Sequence, residues 1–253
     1  MKVAVSGRKA LFTAISCDKI VLTGIVPKTN SSMIKGVSKR MIFPTIHFHS
    51  EVSEIPLRAA KGHFATTHSH INYYIDMTNT KHRLSEARQA ARELAVKYHA
   101  SEYVDTILCL DGTEVLGACL AEELISSGIK NKNEHDTIYV ITPEITSGNL
   151  QIFRENIAHL IRGRHVLILA ASVTTGTAVQ DAIAATRYYG GDPVGICSIF
   201  SCLEQCGGFP VTSIFQSKIL GDYSSVAPNQ CPMCKAGEKL DALVNSYGVS
   251  SFL

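Results

Sequence analysis

Several features that would classify this chain at once are missing. None of its apolar runs approaches the ~20 residues that cross a bilayer as a helix, so no membrane partner is expected. Lys2, Arg8 and Lys9 are not followed by an apolar stretch and small-residue cleavage site, the pattern of a secretory signal; a cytoplasmic protein is expected. No dense basic block exists: 24 Lys and Arg against 22 Asp and Glu give a formal net charge of +2. That argues against nucleic acid as the main partner. There is no G-x-G-x-x-G, so a dinucleotide turn is not expected. No internal repeat or low-complexity tract occurs, and no lysine lies between Lys132 and Lys218.

What is present is the composition of an ordinary globular protein. At 253 residues, 45% hydrophobic and 18% charged, the chain can bury one large core or two modest ones. Its eight cysteines include Cys109 and Cys197 in strand-like runs and Cys119 in a helix-like one, which suits reduced, buried thiols. Cys202 with Cys206, and Cys231 with Cys234, form a Cys-x3-Cys and a Cys-x2-Cys pair. Four thiolates so spaced would close a tetrahedral Zn2+ site. The other reading of Cys231-Pro232-Met233-Cys234 is a turn whose cysteines merely pack. Five of the ten histidines, His47, His49, His63, His68 and His70, fall close together. Alternation puts His47 with His49, and His68 with His70, on one face of a strand. A metal or base site is one reading. Hydrogen-bonded histidines at a lobe boundary are the other, favoured by the lack of an acidic or cysteine partner at ligand spacing.

Three regions are expected: a β-rich lobe over 1–70, an α/β core over 71–201, and an extension over 202–253 that packs on the core or on a partner. In the first, 19–27 and 40–48 read as strands around a polar loop, 28–39. In the core, 82–99 reads as an amphipathic helix, 104–110 as a buried strand and 113–127 as a helix stopped by Gly128. Then follow a strand over 137–142, a helix over 149–162 and the aliphatic strand beginning at His165. A helix over 178–189 and a strand over 193–200 complete the run. Helices alternating with strands, with connections too long for hairpins, predict a parallel sheet covered by helices on both faces. The extension reads as a strand over 211–215 and a short helix over 240–247.

The stretch around which this order is built is His165-Val-Leu-Ile-Leu-Ala-Ala-Ser-Val-Thr-Thr-Gly-Thr177. A buried strand running through a Thr/Gly turn into a helix gathers backbone N–H groups and hydroxyls where the helix dipole is positive, an anion site. Asp111-Gly112-Thr113-Glu114, after the strand 104–110, is a second turn of that kind at the same sheet edge. Thr142–Gly148 is a third loop there.

The strand and Thr174-Thr175-Gly176-Thr177 resemble the signature of the type I phosphoribosyltransferases. Tyr73-Tyr74-Ile75-Asp76 and Cys231-Pro-Met-Cys resemble segments of orotate phosphoribosyltransferases and bacterial proteins like them. The resemblance implies an enzyme that transfers ribose 5-phosphate from phosphoribosyl pyrophosphate to a nucleobase, with Mg2+ bridging pyrophosphate and ribose. It implies that Thr174, Thr175, Gly176 and Thr177 hold the 5-phosphate and Asp111, Gly112, Thr113 and Glu114 the pyrophosphate. It also implies a hood formed by the N-terminal lobe, and a homodimer. Two departures point instead to a homologue that binds a phosphoribosyl compound or nucleotide as a sensor or regulator. Ala170 and Ala171 replace the signature acid pair, with Ser172 after them. The mobile basic loop has no counterpart, Glu144 alone matching its neighbourhood.

Overall fold

The computed structural model describes residues 43–50, 53–98, 103–126, 137–148 and 150–252. The expected strand over 19–27 and loop over 28–39 lie outside them. All that follows concerns the unit Met41–Leu253.

In chain order the elements begin with strands β1 (Ile46–Ser50), β2 (Ser53–Ala65) and β3 (His70–Asp76), then helices α1 (Thr78–His82) and α2 (Leu84–Ala95). Next come β4 (Thr106–Cys109), α3 (Glu114–Ser126), β5 (Tyr139–Ile141), β6 (Glu144–Ile145), β7 (Gln151–Ile152) and α4 (Glu155–Ala158). The chain continues through β8 (His165–Val173), α5 (Thr177–Tyr188), β9 (Asp192–Ser201), β10 (Gln205–Cys206) and β11 (Phe209–Gln216). It closes with β12 (Ser225–Val226), α6 (Pro232–Lys235), β13 (Ala242–Asn245) and β14 (Gly248–Ser251).

Five strands form a parallel sheet in the spatial order β11-β9-β8-β4-β5, with β10 antiparallel beside β11. Residues 107–109 of β4 and 166–171 of β8 are apolar whichever way they point, as befits strands with helices on both faces. Ile107, Cys109, Leu167 and Leu169 pack with Leu94 of α2 and Leu116 and Leu120 of α3. Their sequence neighbours Leu108, Val166, Ile168 and Ala170 pack with Val179 and Ile183 of α5 and with Ile161. Gly117 lets α3 lie close on β4, since a Cβ there would meet Val140 Cγ1 at 3.1 Å and the Cys109 thiol nearer still. The expected doubly covered parallel sheet is therefore what the chain forms.

A second sheet has the order β12-β3-β2-β13-β14, with β1 paired to β2. It joins segments far apart in the chain: β13 lies parallel to β2 through Ala242 and Phe64, and β12 pairs with β3. The last fifty residues thus serve both sheets, β10 and β11 extending one and β12 to β14 completing the other. Among the described residues, no helix is long and apolar enough to cross a membrane.

Two sequence-based expectations need correction. The helix expected over 149–162 is a strand and a single helical turn: β7 pairs with β6, Leu150 N–H donates to Thr146 Oγ1 at 3.2 Å, and α4 spans Glu155–Ala158. The short helix expected over 240–247 is the β13–β14 hairpin. Ala242 and Val244 are buried while Leu243 and Asn245 are exposed, an alternation of period two that favours strand over helix once β2 offers a free edge.

Candidate ligand cleft

In the parallel sheet the chain moves from β4 outward to β5 and then returns to the other side of β4 as β8. The strand order reverses between β4 and β8, and the loops leaving their carboxyl ends diverge to leave a crevice. Both anion-type turns read from the sequence sit there. Thr113 joins their bases: buried, its hydroxyl donates to Leu110 O at 2.8 Å, with Leu169 O at 3.2 Å. The crevice opens into a cleft of about 450 Å³, lined among others by Lys81, Asp111, Ala171, Thr174, Thr175 and Thr177.

At the end of β8, Gly176 is the N-cap of α5, with φ 80°. A side chain there would be strained, and its Cβ would meet Cys206 Sγ at 2.8 Å and Leu203 Cδ1 at 3.1 Å. The first N–H groups of α5 have no acceptor within the helix, no side chain caps them, and the first turn carries no acid. Thr175 and Thr177 are exposed, with their hydroxyls 3.2 Å apart. Donors and a positive helix end thus face the cleft, an arrangement whose chemistry suits a phosphate or similar anion. Beside it Gln151 Nε2 donates to Ala178 O at 2.9 Å, while its buried Oε1 has no partner.

At the end of β4, Asp111 has φ 58° and Gly112 φ 73°. Among the described residues Asp111 is the one non-glycine with positive φ, a conformation Asp tolerates better than most side chains. Burial pushes its carboxyl up from the ordinary value, while the charge of Lys81 and the Ala171 N–H act in the opposite direction. Lys81 Nζ donates to Asp111 O at 2.9 Å and to Ser246 O at 2.6 Å. Burial pulls the ammonium down, against the nearby charges of Asp111, Glu114 and Asp76. Two of its three donors are thus spent on carbonyls. Of the four residues expected at the pyrophosphate, Asp111 lines the cleft, Gly112 shapes the turn, Thr113 is engaged in joining the strands, and Glu114 is exposed at the start of α3.

Lys81 is the cleft residue that sequence reasoning missed. In Thr80-Lys81-His82-Arg83 it looks like one of several solvated polar residues. It becomes buried because the β13–β14 hairpin, more than 150 residues later, lays Ser246 over it. The mobile basic loop is not replaced near 142–148: Glu144 holds Arg154 in a bidentate pair, both contacts at 2.7 Å.

The two alanines separate. Ala171 lines the cleft, whereas Ala170 belongs to the core under α5. No carboxylate stands on β8 to hold Mg2+ at a ribose. Asp111, on the facing loop, is half-buried with the Lys81 ammonium beside it, so a cation at that carboxylate would compete with a charge already there, and the residues present fit a protein-held Mg2+ poorly.

The four-cysteine zinc set also needs correction. Cys206 supports the phosphate-type loop, its thiol 3.6 Å from Gly176 O, and Cys202 packs against the main core. Cys231 and Cys234 instead meet His63 and His70. The histidine pairing differs from the expected one because His63 and His70 face each other across the β2–β3 hairpin, while His68 is exposed in its turn and His47 and His49 are exposed on β1.

No family profile matches the sequence, and no curated protein matches it. Solved structures do. An orotate phosphoribosyltransferase of Mycobacterium tuberculosis, in complex with 5-phospho-alpha-D-ribosyl 1-diphosphate, is 15% identical over 58% of this chain and 83% of its own, with TM-score 0.43. UMP synthase of Leishmania donovani is 17% identical over 64% of this chain and 34% of its own, with TM-score 0.47. An adenine phosphoribosyltransferase of Rhodothermus marinus is 18% identical over 56% and 86%, with TM-score 0.42.

Proposed function

We propose that this protein binds a phosphoribosyl compound in the cleft between β4 and β8. The 5-phosphate would lie on Thr174, Thr175, Gly176 and Thr177, accepting hydrogen bonds from the open N–H groups of α5 and from the two converging hydroxyls. The observation that carries the reading is the pairing of two anion-type turns at the point where strand order reverses, with the buried Lys81 beside the second. A ligand with charge at one end only would leave that lysine without a use. A phosphoribosyl compound with a second anionic group, such as phosphoribosyl pyrophosphate, would satisfy both ends.

Binding is better supported than transfer. Loss of pyrophosphate from C1 of the ribose places positive charge on the sugar and negative charge on the departing group, and preorganised charges at both are what accelerate such a step. Lys81 supports the leaving group, and on that ground transfer to a nucleobase is the second reading. At the sugar, Ala171 and Ser172 supply no carboxylate.

Calorimetric titration with ribose 5-phosphate and with phosphoribosyl pyrophosphate tests the proposal. Both are expected to bind, and Thr175→Ala is expected to weaken both by about tenfold, the loss of one charge-assisted hydrogen bond. Unchanged affinity in that variant would remove the loop assignment. Pyrophosphate release in the presence of orotate, adenine or hypoxanthine would establish the transfer reading, and its absence alongside binding would leave the sensor.

A further inference from the structure

We infer that His63, His70, Cys231 and Cys234 form a structural zinc site that fastens the C-terminal tail to the β2–β3 hairpin. Their ligand atoms all lie within 4.8 Å of one another. His63 Nε2 is 3.2 Å from His70 Nδ1, 3.4 Å from Cys231 Sγ and 3.6 Å from Cys234 Sγ, and Cys234 Sγ is 3.3 Å from His70 Nδ1. A tetrahedron with Zn–S of about 2.3 Å and Zn–N of about 2.0–2.1 Å has N–N edges of roughly 3.3 Å and S–N edges of roughly 3.6 Å. The four contacts match that cage to within a few tenths of an ångström. Two imidazoles and two thiols are a donor set that favours zinc over hard cations.

The surroundings fix the ligands as well. Glu238 O lies 3.1 Å from His63 Nδ1. A carbonyl only accepts, so this contact keeps the proton on Nδ1 and turns the Nε2 lone pair toward the cluster. Glu238 is aimed by the turn after Cys234, in which Glu238 N–H donates to Met233 O at 2.9 Å and Gly237, with φ 77°, donates to Cys234 O at 3.0 Å. On the other side, Asp241 Oδ2 accepts the backbone N–H of His63 at 2.7 Å. Residues more than 160 positions apart thus form a preorganised cage. Metal entry displaces the two thiol protons to solvent, leaving two thiolates and two neutral imidazoles around the ion. The consequence is a cross-link between β2, β3 and the segment carrying α6, which leads into β13 and β14. This site stands whether or not the cleft binds a phosphoribosyl compound.

Elemental analysis of the full chain, purified reduced and without chelator, is expected to give about one zinc per chain. Cys231→Ser and Cys234→Ser should each remove most of it, and Cys202→Ser should keep it. Because the first two variants risk misfolding, the wild type carries a second test. After chelation, added Co2+ should give thiolate-to-cobalt charge-transfer absorption and the intense visible bands of tetrahedral coordination. Less than half an equivalent of zinc together with no such spectrum would overturn the site. So would a Cys231–Cys234 disulfide in the freshly isolated protein, or zinc loss in Cys202→Ser equal to that in Cys231→Ser.

Discussion

The two sheets of this protein are held together by different means. In the parallel sheet, strands near one another in the chain bury aliphatic side chains on both faces, and Ile107, Leu167 and Ile168 are wholly inaccessible. Its stability comes from area removed from water and from close packing. The second sheet is assembled from segments about 150 residues or more apart. Ile55, Leu57, Ala59 and Tyr73 pack into the core shared with the parallel sheet, while the cluster of its own is small, with Phe64, Ile71, Tyr74, Ala242 and Val244 at its centre. Polar contacts join its distant parts: Lys61 reaches Asp222 at 2.6 Å, Tyr73 donates to Asp222 at 2.8 Å, Asn72 donates to Asp222 O at 2.6 Å, and the His/Cys cluster ties the tail to the hairpin. A small apolar core that closes long loops benefits from specific cross-links, because each must offset the ordering of much chain.

The largest test of this contrast is a cavity in the parallel sheet. Ile168→Ala is expected to destabilise the protein by about 2–5 kcal/mol, read as a lower urea midpoint, and to do so equally with and without a chelator. A loss below about 1 kcal/mol would mean that this sheet does not dominate stability. A smaller effect is expected at the junction between β8 and α5. Gly176→Ala forces a side chain into the left-handed region at a cost of about 1–2 kcal/mol and pushes Cys206 away. Its midpoint should fall less than that of Ile168→Ala, while ribose 5-phosphate affinity falls more than in Thr175→Ala. Full retention of binding would show that the loop does not need its observed shape.

The smallest effect concerns alkaline pH and the second sheet. Burial, and secondarily the charge of Asp76, pushes Tyr74 up from 10 to about 12. The folded state therefore holds this proton more tightly than the unfolded one. The resulting stability is fully present below pH 10 and is lost as pH rises to about 12. Tyr74→Phe should flatten that part of the denaturation-midpoint curve while leaving the neutral region close to wild type. An unchanged alkaline slope would mean that Tyr74 is not held as its burial implies.

The two sheets also differ in how far the sequence discloses them. The strand 165–173 and the helix after it are legible because a strand buried on both faces must be apolar throughout, and because a Thr/Gly turn following it has few other uses. The helix over 84–95 shows in its alternation of alanines and leucine with Arg and Glu. The β13–β14 hairpin did not show, since its four-residue strands acquire their pairing from β2, and 149–162 looked helical because the β6–β7 ribbon is too short to impose a period. In the site, the threonines and Asp111 were found from local pattern. Lys81 was not, because its burial depends on Ser246, and the histidine–cysteine cluster was not, because spacing along the chain says nothing about ligands that come together from opposite ends of it.

Sequence alone determined the doubly covered parallel sheet and the anion-type turn at Thr174–Thr177, because hydrophobic period and turn chemistry act over a few residues. Tertiary structure alone decided that Cys206 supports that turn instead of binding metal, that Lys81 enters the cleft, and that Cys231 and Cys234 face His63 and His70. Each of those facts depends on which distant strands pair, and pairing is set by packing over the whole domain.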